Sequence, residues 1–326
     1  MANIRRPRHS TKQYWPRKRS RKVHALVKSW ISLNNVKLLG FAGYKAGMTN
    51  IIIKDNRPNS IDKGDQVSIP VTVIECPILK IFSVKFYKKS PYGKNVLAEI
   101  QNSKLDKSLS RKVNVAKKIK DLSEIEGRIG DFDDLRIVVY TLPKKTGLGK
   151  KTPDIFELGI GGKNINEKFE FVKGIWNSDL RVSDVFKSGI KVDIHSITTG
   201  KGFQGGVKRF GLQLRSHKSE KKRRGAVYGP ERPGKILWGA LMPGKMGFLL
   251  RTEHNKDVMF IGNKPEEINP KGGFLHYGNV RSDYVLLKGS VPGPAKRLIT
   301  MIEPQRKTKV FGNNYEIQHV NLESKQ

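Results

Sequence analysis

Positive charge in this chain is concentrated in two stretches, and that concentration limits what those stretches can fold into. Residues 1–30 hold ten Lys or Arg and no acid, and residues 201–256 hold fourteen against three Glu. Neither stretch has a sustained apolar period, so neither can bury a hydrophobic face of its own. Together these 86 residues carry 21 of the 34 net positive charges, leaving only +13 on the other 240. The pattern is that of a near-ordinary body with two cationic appendages. Self-repulsion at this charge opposes compaction, and no small substrate needs such a field. The partner it implies is a dense polyanion.

The first appendage reads RRPRHSTKQYWPRKRSRK. Its cations can neutralise phosphates, and Tyr14 and Trp15 can stack on exposed bases. The second, TGKGFQGGVKRFGLQLRSHKSEKKRRGAVYGPERPGKILWGALMPGKMGF, is rich in Gly, Pro and cations. A loop this long without a core of its own is unusual in a compact domain. Threading through folded RNA would supply, through phosphates, the stabilisation that apolar burial supplies elsewhere.

The rest of the chain alternates short β-rich runs with Gly and Pro punctuation. Residues 36–54 and 67–87 read as strands, as do 258–262, 273–277, 284–288, 297–303 and 309–319. Many short strands joined by tight turns favour a barrel or sandwich. Residues 88–182 differ. Leu105, Leu109, Val113, Ala116, Ile119 and Leu122 recur at helical spacing, with Ser103 and Asp106 as a capping start. RIVVYTL (136–142) predicts a strand, and NINEKFEFVKGIW (164–176) a helix. This segment reads as an α+β insertion in the β body.

Several motifs imitate chemistry and fail on inspection. Gly200–Gly205 matches G-x-G-x-x-G, but the following residues are Gly-interrupted and cationic where a dinucleotide site needs a helix and then an acid. Gly229–Lys235 and Gly239–Lys245 match G-x-x-x-x-G-K. Each lacks the next Ser or Thr for magnesium, having Ile236 and Met246, and a proline before the second glycine removes an amide from the cradle. The seven histidines show no metal spacing on a helix face. His195 reads as a core residue, and the acids Asp131, Asp133 and Asp134 as a turn or helix end. Cys76, the single cysteine, sits in an apolar run and reads as a buried thiol, which excludes an internal disulfide or a multi-cysteine zinc site. No secretory leader or bilayer-length apolar run is present, so an intracellular, reducing compartment is expected. No cofactor, metal, membrane or small-molecule substrate is expected, and no catalytic residue is assigned.

Against this background, five blocks carry a family resemblance: LLGFAGYKAGMTNIIIKD, IPVTVIECPILKIFSVK, DIHSITTGKGFQGGVKRFG, PGKILWGALMPGKMG and VLLKGSVPGPAKRLI. In this order they resemble the universal large-subunit ribosomal protein L-three family. RRPRHSTKQYWPRKRSRK and KKTPDIFELGIGG look like its longer archaeal and eukaryotic branch. The resemblance spans roughly residues 5–302. It implies a mainly β fold: a closed six-stranded barrel of the translation-protein type, an α+β insertion and two long basic extensions. The corresponding division is an N-terminal extension (1–35), barrel parts at 36–87, 183–200 and 257–326, the insertion at 88–182 and a long basic loop at 201–256.

The resemblance further implies a structural protein of the large ribosomal subunit, with no catalysis of its own. Such a protein binds large-subunit rRNA early in assembly, lies beside the universal protein L-fourteen, and extends its loop toward the peptidyl-transferase and A-site region. It would be cytoplasmic. Near the loop tip, archaeal and eukaryotic members carry Trp and bacterial members Gln where this chain has Glu231. The candidate RNA-binding residues in the tail are Arg5, Arg6, Arg8, Trp15, Arg17, Lys18 and Arg19. Those in the loop are Lys201, Phe203, Lys208, Arg209, Arg215, Lys221, Lys222, Arg223, Arg224, Glu231, Arg232, Lys235, Trp238, Lys245 and Arg251. Two other classes fit the sequence less well. An RNA-modifying enzyme would need a cofactor pocket or carboxylate cluster beside the cations. A free RNA- or chromatin-packaging protein would need neither two unlike arms nor the ordered blocks.

Overall fold

The structure is a computed structural model that describes residues 14–116, 118–212, 214, 218, 234–306 and 314–324. The chain divides into two compact units: residues 23–196 with 251–326, and residues 1–22 with 197–250.

The larger unit is built on β1 (Gly40–Asp55), β2 (Gln66–Glu75), β7 (Lys191–Ile197), β10 (Leu250–Gly262), β11 (Tyr284–Lys288) and β12 (Leu298–Ile302). Their hydrogen-bonded order is β12-β7-β10-β11-β2-β1, and β1 pairs back onto β12, which joins the six into a ring. Closure runs through the register Gly40↔Ile302 to Tyr44↔Leu298. A seventh strand, β13 (Tyr315–Val320), takes over the same edge of β1 beyond Ile51. β1 can serve three neighbours because it is long and glycine-studded. A Cβ on Gly43 would lie 2.6 Å from the Glu75 carbonyl oxygen, so a side chain there would push β2 away.

β3 (Leu79–Ser90) leaves the ring. It pairs with β4 (Gly93–Gln101) and β5 (Asp134–Thr141), and β6 (Ile155–Gly159) adds to β5, giving a four-stranded sheet β4-β3-β5-β6. The β run expected through residue 87 is therefore divided between two sheets. The sheet changes after Cys76, because Pro77 offers no amide to continue the ladder. Helix α1 (Ile165–Ile175) forms within its expected span and buries Phe169 and Val172. A single turn, α2 (Val182–Val185), leads on toward β7. Two further expectations fail. Among the described residues the spacing from Leu105 to Leu122 gives no α-helix; 3-10 segments of five and ten residues, Lys107–Arg111 and Leu122–Asp131, stand there. Only Leu109 of that stripe is fully buried, in a small cluster with Phe82, Val138 and Tyr140. Leu105 and Val113 pack partly against that cluster, whereas Leu122 packs against the main core, so the stripe has no single surface on which one helix face could be buried. The Asp106 carboxylate accepts from the Tyr140 hydroxyl at 2.8 Å and caps no backbone amide. Residues 273–277 form turns around a single Phe274↔Gly278 bridge where a strand was expected.

One apolar core runs through the ring and the inner face of the second sheet, from Phe41 and Ile51 to Leu135, Ile137 and Leu158. Several of its polar members are pinned. Glu75, fully buried, accepts from the backbone amides of Arg281 (2.7 Å), Ser282 (2.9 Å) and Gly147 (3.2 Å) and from the Tyr277 hydroxyl. Burial, with Glu75 adding to it, pushes the Tyr277 phenol well above its ordinary value. Cys76 is buried and its thiol is likewise pushed up by desolvation, which keeps it protonated and inert. His195 is buried, with Nδ1 2.9 Å from the Thr252 hydroxyl, as expected of a core histidine. Asp131, Asp133 and Asp134 mark a 3-10 helix end and the start of β5; Asp134 pairs with Lys94 and Lys168. Among the described residues no group of acids, histidines or cysteine is arranged to hold a metal, and no helix is long and apolar enough to cross a membrane.

Candidate nucleic-acid interface

The smaller unit gathers the N-terminal tail as far as Lys22 and the long loop as far as Leu250. Its chain segments contain 21 Lys and Arg against two Glu, Glu220 and Glu231. Both Glu lie outside the described residues. Its regular structure is slight: strands β8 (Gly200–Gln204) and β9 (Gly244–Gly247) pair antiparallel, and a short helix α3 (Gly206–Phe210) follows β8. The hairpin base is tight. Gly247 has φ +72°, and a Cβ there would lie 2.1 Å from the Thr199 carbonyl oxygen. The amide of Thr198 donates to the Leu249 carbonyl at 3.0 Å, and that of Ser20 to Phe248 at 2.9 Å.

An aromatic–cation stack joins tail to loop. Phe210 is buried, with the Trp15 ring stacked on it at 5.6 Å between centroids and the Trp238 ring meeting Trp15 edge-on at 5.5 Å. The Arg17 guanidinium lies 4.3 Å from the Phe210 centroid and that of Arg209 lies 5.0 Å away. Arg17 Nη1 also donates to the Arg209 carbonyl (2.7 Å), and Arg209 Nη1 to the Met242 carbonyl (2.9 Å). Guanidinium suits this role because it is planar and weakly hydrated, so it lies flat on a ring while its edge donates.

The sequence-named residues therefore separate into two groups. Arg17, Arg209 and Trp15 are turned into the unit. Lys18, Arg19, Lys201, Lys208, Lys235 and Lys245 are exposed, and among the described residues their side chains make no ion pair. Phe203 is 73% exposed, and Trp238, although it meets Trp15, is 75% exposed. Ile236 and Leu237 are exposed beside it. Arg251 belongs to β10, in the larger unit. Arg5, Arg6, Arg8, Arg215, Lys221, Lys222, Arg223, Arg224, Glu231 and Arg232 lie outside the described residues.

Two of the nucleotide-like motifs dissolve into this geometry, and most of the third, Gly229–Lys235, lies outside the described residues. Gly200–Gly205 is a hairpin strand and its turn, followed by a helix of five residues. Gly239–Lys245 runs into β9, where Lys245 pairs with Phe203 across the ladder. The local pattern missed by sequence reasoning is the Trp15–Phe210–Trp238 contact, which joins residues far apart in the chain. The aromatic composition of both stretches was the only signal for it.

The fold is thus a six-strand β ring accompanied by a cation-dense unit with exposed aromatics. The whole sequence, residues 1–326, matches the family described as Ribosomal protein L3. It is similar to the large ribosomal subunit protein uL3 of Archaeoglobus fulgidus, 42% identical over 98% of both chains. The uL3 proteins of Methanocaldococcus jannaschii and Methanococcoides burtonii are each 40% identical, over 99% and 100% of this chain and 98% and 100% of theirs. The chain belongs to the ribosomal protein L3 family. That family consists of structural ribosomal proteins, not enzymes, and its setting is translation and the ribonucleoprotein particle.

Proposed function

We propose that this chain is a structural constituent of the large ribosomal subunit and binds large-subunit rRNA through its smaller, cationic unit. The observation that carries the reading is the set of exposed cations there, Lys18, Arg19, Lys201, Lys208, Lys235 and Lys245, with no described acid in the same unit to neutralise them. Each can replace condensed counterions on a phosphate, and release of those ions drives association. Phe203 and Trp238 offer faces for unstacked bases. Arg17 and Arg209, spent on Phe210, hold the cationic surface in shape.

The finer reading rests on the family. The six-strand ring serves as a closed barrel of the translation-protein type on the subunit surface, and residues 88–182 are its insertion. The loop at 201–256 reaches inward toward the peptidyl-transferase and A-site region. The protein joins rRNA early in assembly, works in the cytoplasm and sits beside the universal protein L-fourteen. The test is deletion of residues 212–235, followed by measurement of subunit incorporation and peptide-bond formation. Impaired assembly or A-site function is expected. Normal assembly and normal translation without the loop would overturn the inward-reaching role.

A further inference from the structure

We propose a second RNA contact at the end of the β3–β4 hairpin of the larger unit, formed by Lys88, Lys89 and Tyr92. It rests on the reading that the chain binds rRNA, but uses none of the residues that support that reading.

The hairpin turns through Ser90-Pro91-Tyr92-Gly93, with Ser90 paired to Gly93 and the Ser90 hydroxyl donating to the Gly93 carbonyl at 2.9 Å. Tyr92 stands at this turn with a relative exposure of 101%, so its ring touches essentially nothing. Lys89 lies directly across the ladder from Lys94, and Lys88 across from Asn95. Like charges directly opposite on a ribbon repel and cost stability. Lys94 is relieved by Asp134, 2.6 Å away. Asp133 accepts from the Lys89 backbone amide at 2.6 Å, not from its ammonium. Lys88 and Lys89 are exposed, and among the described residues their ammonium groups have no acidic or hydrogen-bonding partner. The one acid on the hairpin strands, Glu99, accepts from the Ser83 hydroxyl at 2.5 Å and lies opposite Lys85, away from the tip.

Three features together select the partner. Side chains alternate along a strand, so Lys88 and Lys89 project from opposite faces of the ribbon. A single acidic protein surface would meet only one of them, whereas a ribbon flanked by phosphates on both sides satisfies both. A bare aromatic ring at the tip adds a stacking face for an unpaired base. The chemistry fits a folded RNA segment with the ribbon end inserted between its strands and one base splayed onto Tyr92. A protein partner would instead favour the open edge of β4, where Val96 and Leu97 are exposed at the bulge opposite Phe86 and Tyr87.

The test uses intact large subunits containing the full chain. Ultraviolet crosslinking with peptide mapping should give a nucleotide adduct on the peptide containing Tyr92, lost in Tyr92→Ala. In filter binding of the full chain to deproteinised large-subunit rRNA, Tyr92→Ala should raise Kd about fivefold or more, as expected when a base stack is removed. Tyr92→Phe should stay within about twofold of the parent. Lys88→Gln with Lys89→Gln should lower the slope of log Kd against log salt by about one to two. Adducts on the smaller unit alone, with unchanged Kd and slope in these variants, would overturn this proposal and leave the main RNA reading standing. Lysine-directed crosslinks from Lys88 or Lys89 to a neighbouring protein, with no nucleotide adduct, would also overturn it. No adduct on either unit, with salt-independent binding, would overturn both.

Discussion

The two units are held together by opposite means. The larger one has an apolar core from Phe41 through Leu158 to Met301, and it carries 42 Lys and Arg against 27 acids over its 250 residues. The smaller one has 21 against 2 in 76 residues, and its described part buries only Ile197 and Phe210 among apolar side chains. Where acids are present, cations pair internally, as Arg136 does with Asp134 and Glu157. Where acids are scarce, the described cations either stack on Phe210 or face outward. Charge imbalance and core size therefore vary inversely along this chain. A segment can forgo its own core when its partner supplies the counter-charge.

The sharpest way to break this contrast is a core truncation. Phe41→Ala, at a fully buried ring position, should cost about 3–5 kcal/mol, read as a fall in the denaturation midpoint of the larger unit. A comparable fall from Trp238→Ala would contradict the division, since that ring is mostly exposed. The second test neutralises Lys18, Arg19, Lys201, Lys208 and Lys245 to Gln. The slope of log Kd for rRNA against log salt should fall by roughly 0.7–0.9 for each phosphate no longer neutralised, with the melting curve almost unmoved. A large stability change without a slope change would show that these cations serve the fold. Third, Trp15→Ala should free the tail from the loop. Trypsin would then cut after Arg17, Lys18 or Arg19 several-fold faster, while the larger unit keeps its midpoint. The stacking itself is worth about 1 kcal/mol.

The smallest effect concerns pH. Burial lowers the His195 pKa from its ordinary 6.5, partly offset by Asp193 and reinforced by His254. The folded state then binds fewer protons than the unfolded one. Its stability is complete above pH 6.5 and declines as pH falls below that value. His195→Asn, which can still meet the Thr252 hydroxyl, should flatten that decline by about 1 kcal/mol or less in urea titrations between about pH 7 and 5. An unchanged pH profile would show that His195 takes up its proton in the folded state as readily as in the unfolded one.

Sequence patterns revealed the elements whose local signal agrees with their packing. β11 lies at 284–288 as read, and α1 and β5 fall within a residue or two of expectation. Sequence patterns misled where the residues of one local pattern were divided between different tertiary partners. The stripe from Leu105 to Leu122 had helical spacing, but Leu105, Leu109 and Val113 serve a small cluster and Leu122 the main core. β4 was overlooked because its exposed face gives no apolar alternation. Which sheet a strand joins was also hidden, since β2 and β3 look alike and separate only at Pro77. For the interface, charge counting located the cations of the smaller unit. It could not tell Arg17 and Arg209, which turn inward, from Lys18 and Lys208, which do not. Nor could it single out Lys88 and Lys89, whose segment (88–182) mixes 20 cations with 13 acids.

The pairing of β1 with β12 sets a timetable for synthesis. Gly40 leaves the translating machinery some 260 residues before its partner Ile302 exists. Throughout that interval one flank of β1 is a bare strand edge, open to mispairing with any other nascent segment. The four-stranded sheet, whose pairings lie wholly within residues 79–159, can settle during the wait. A member of the ribosomal protein L3 family would thus finish its own fold only as its last tenth is made.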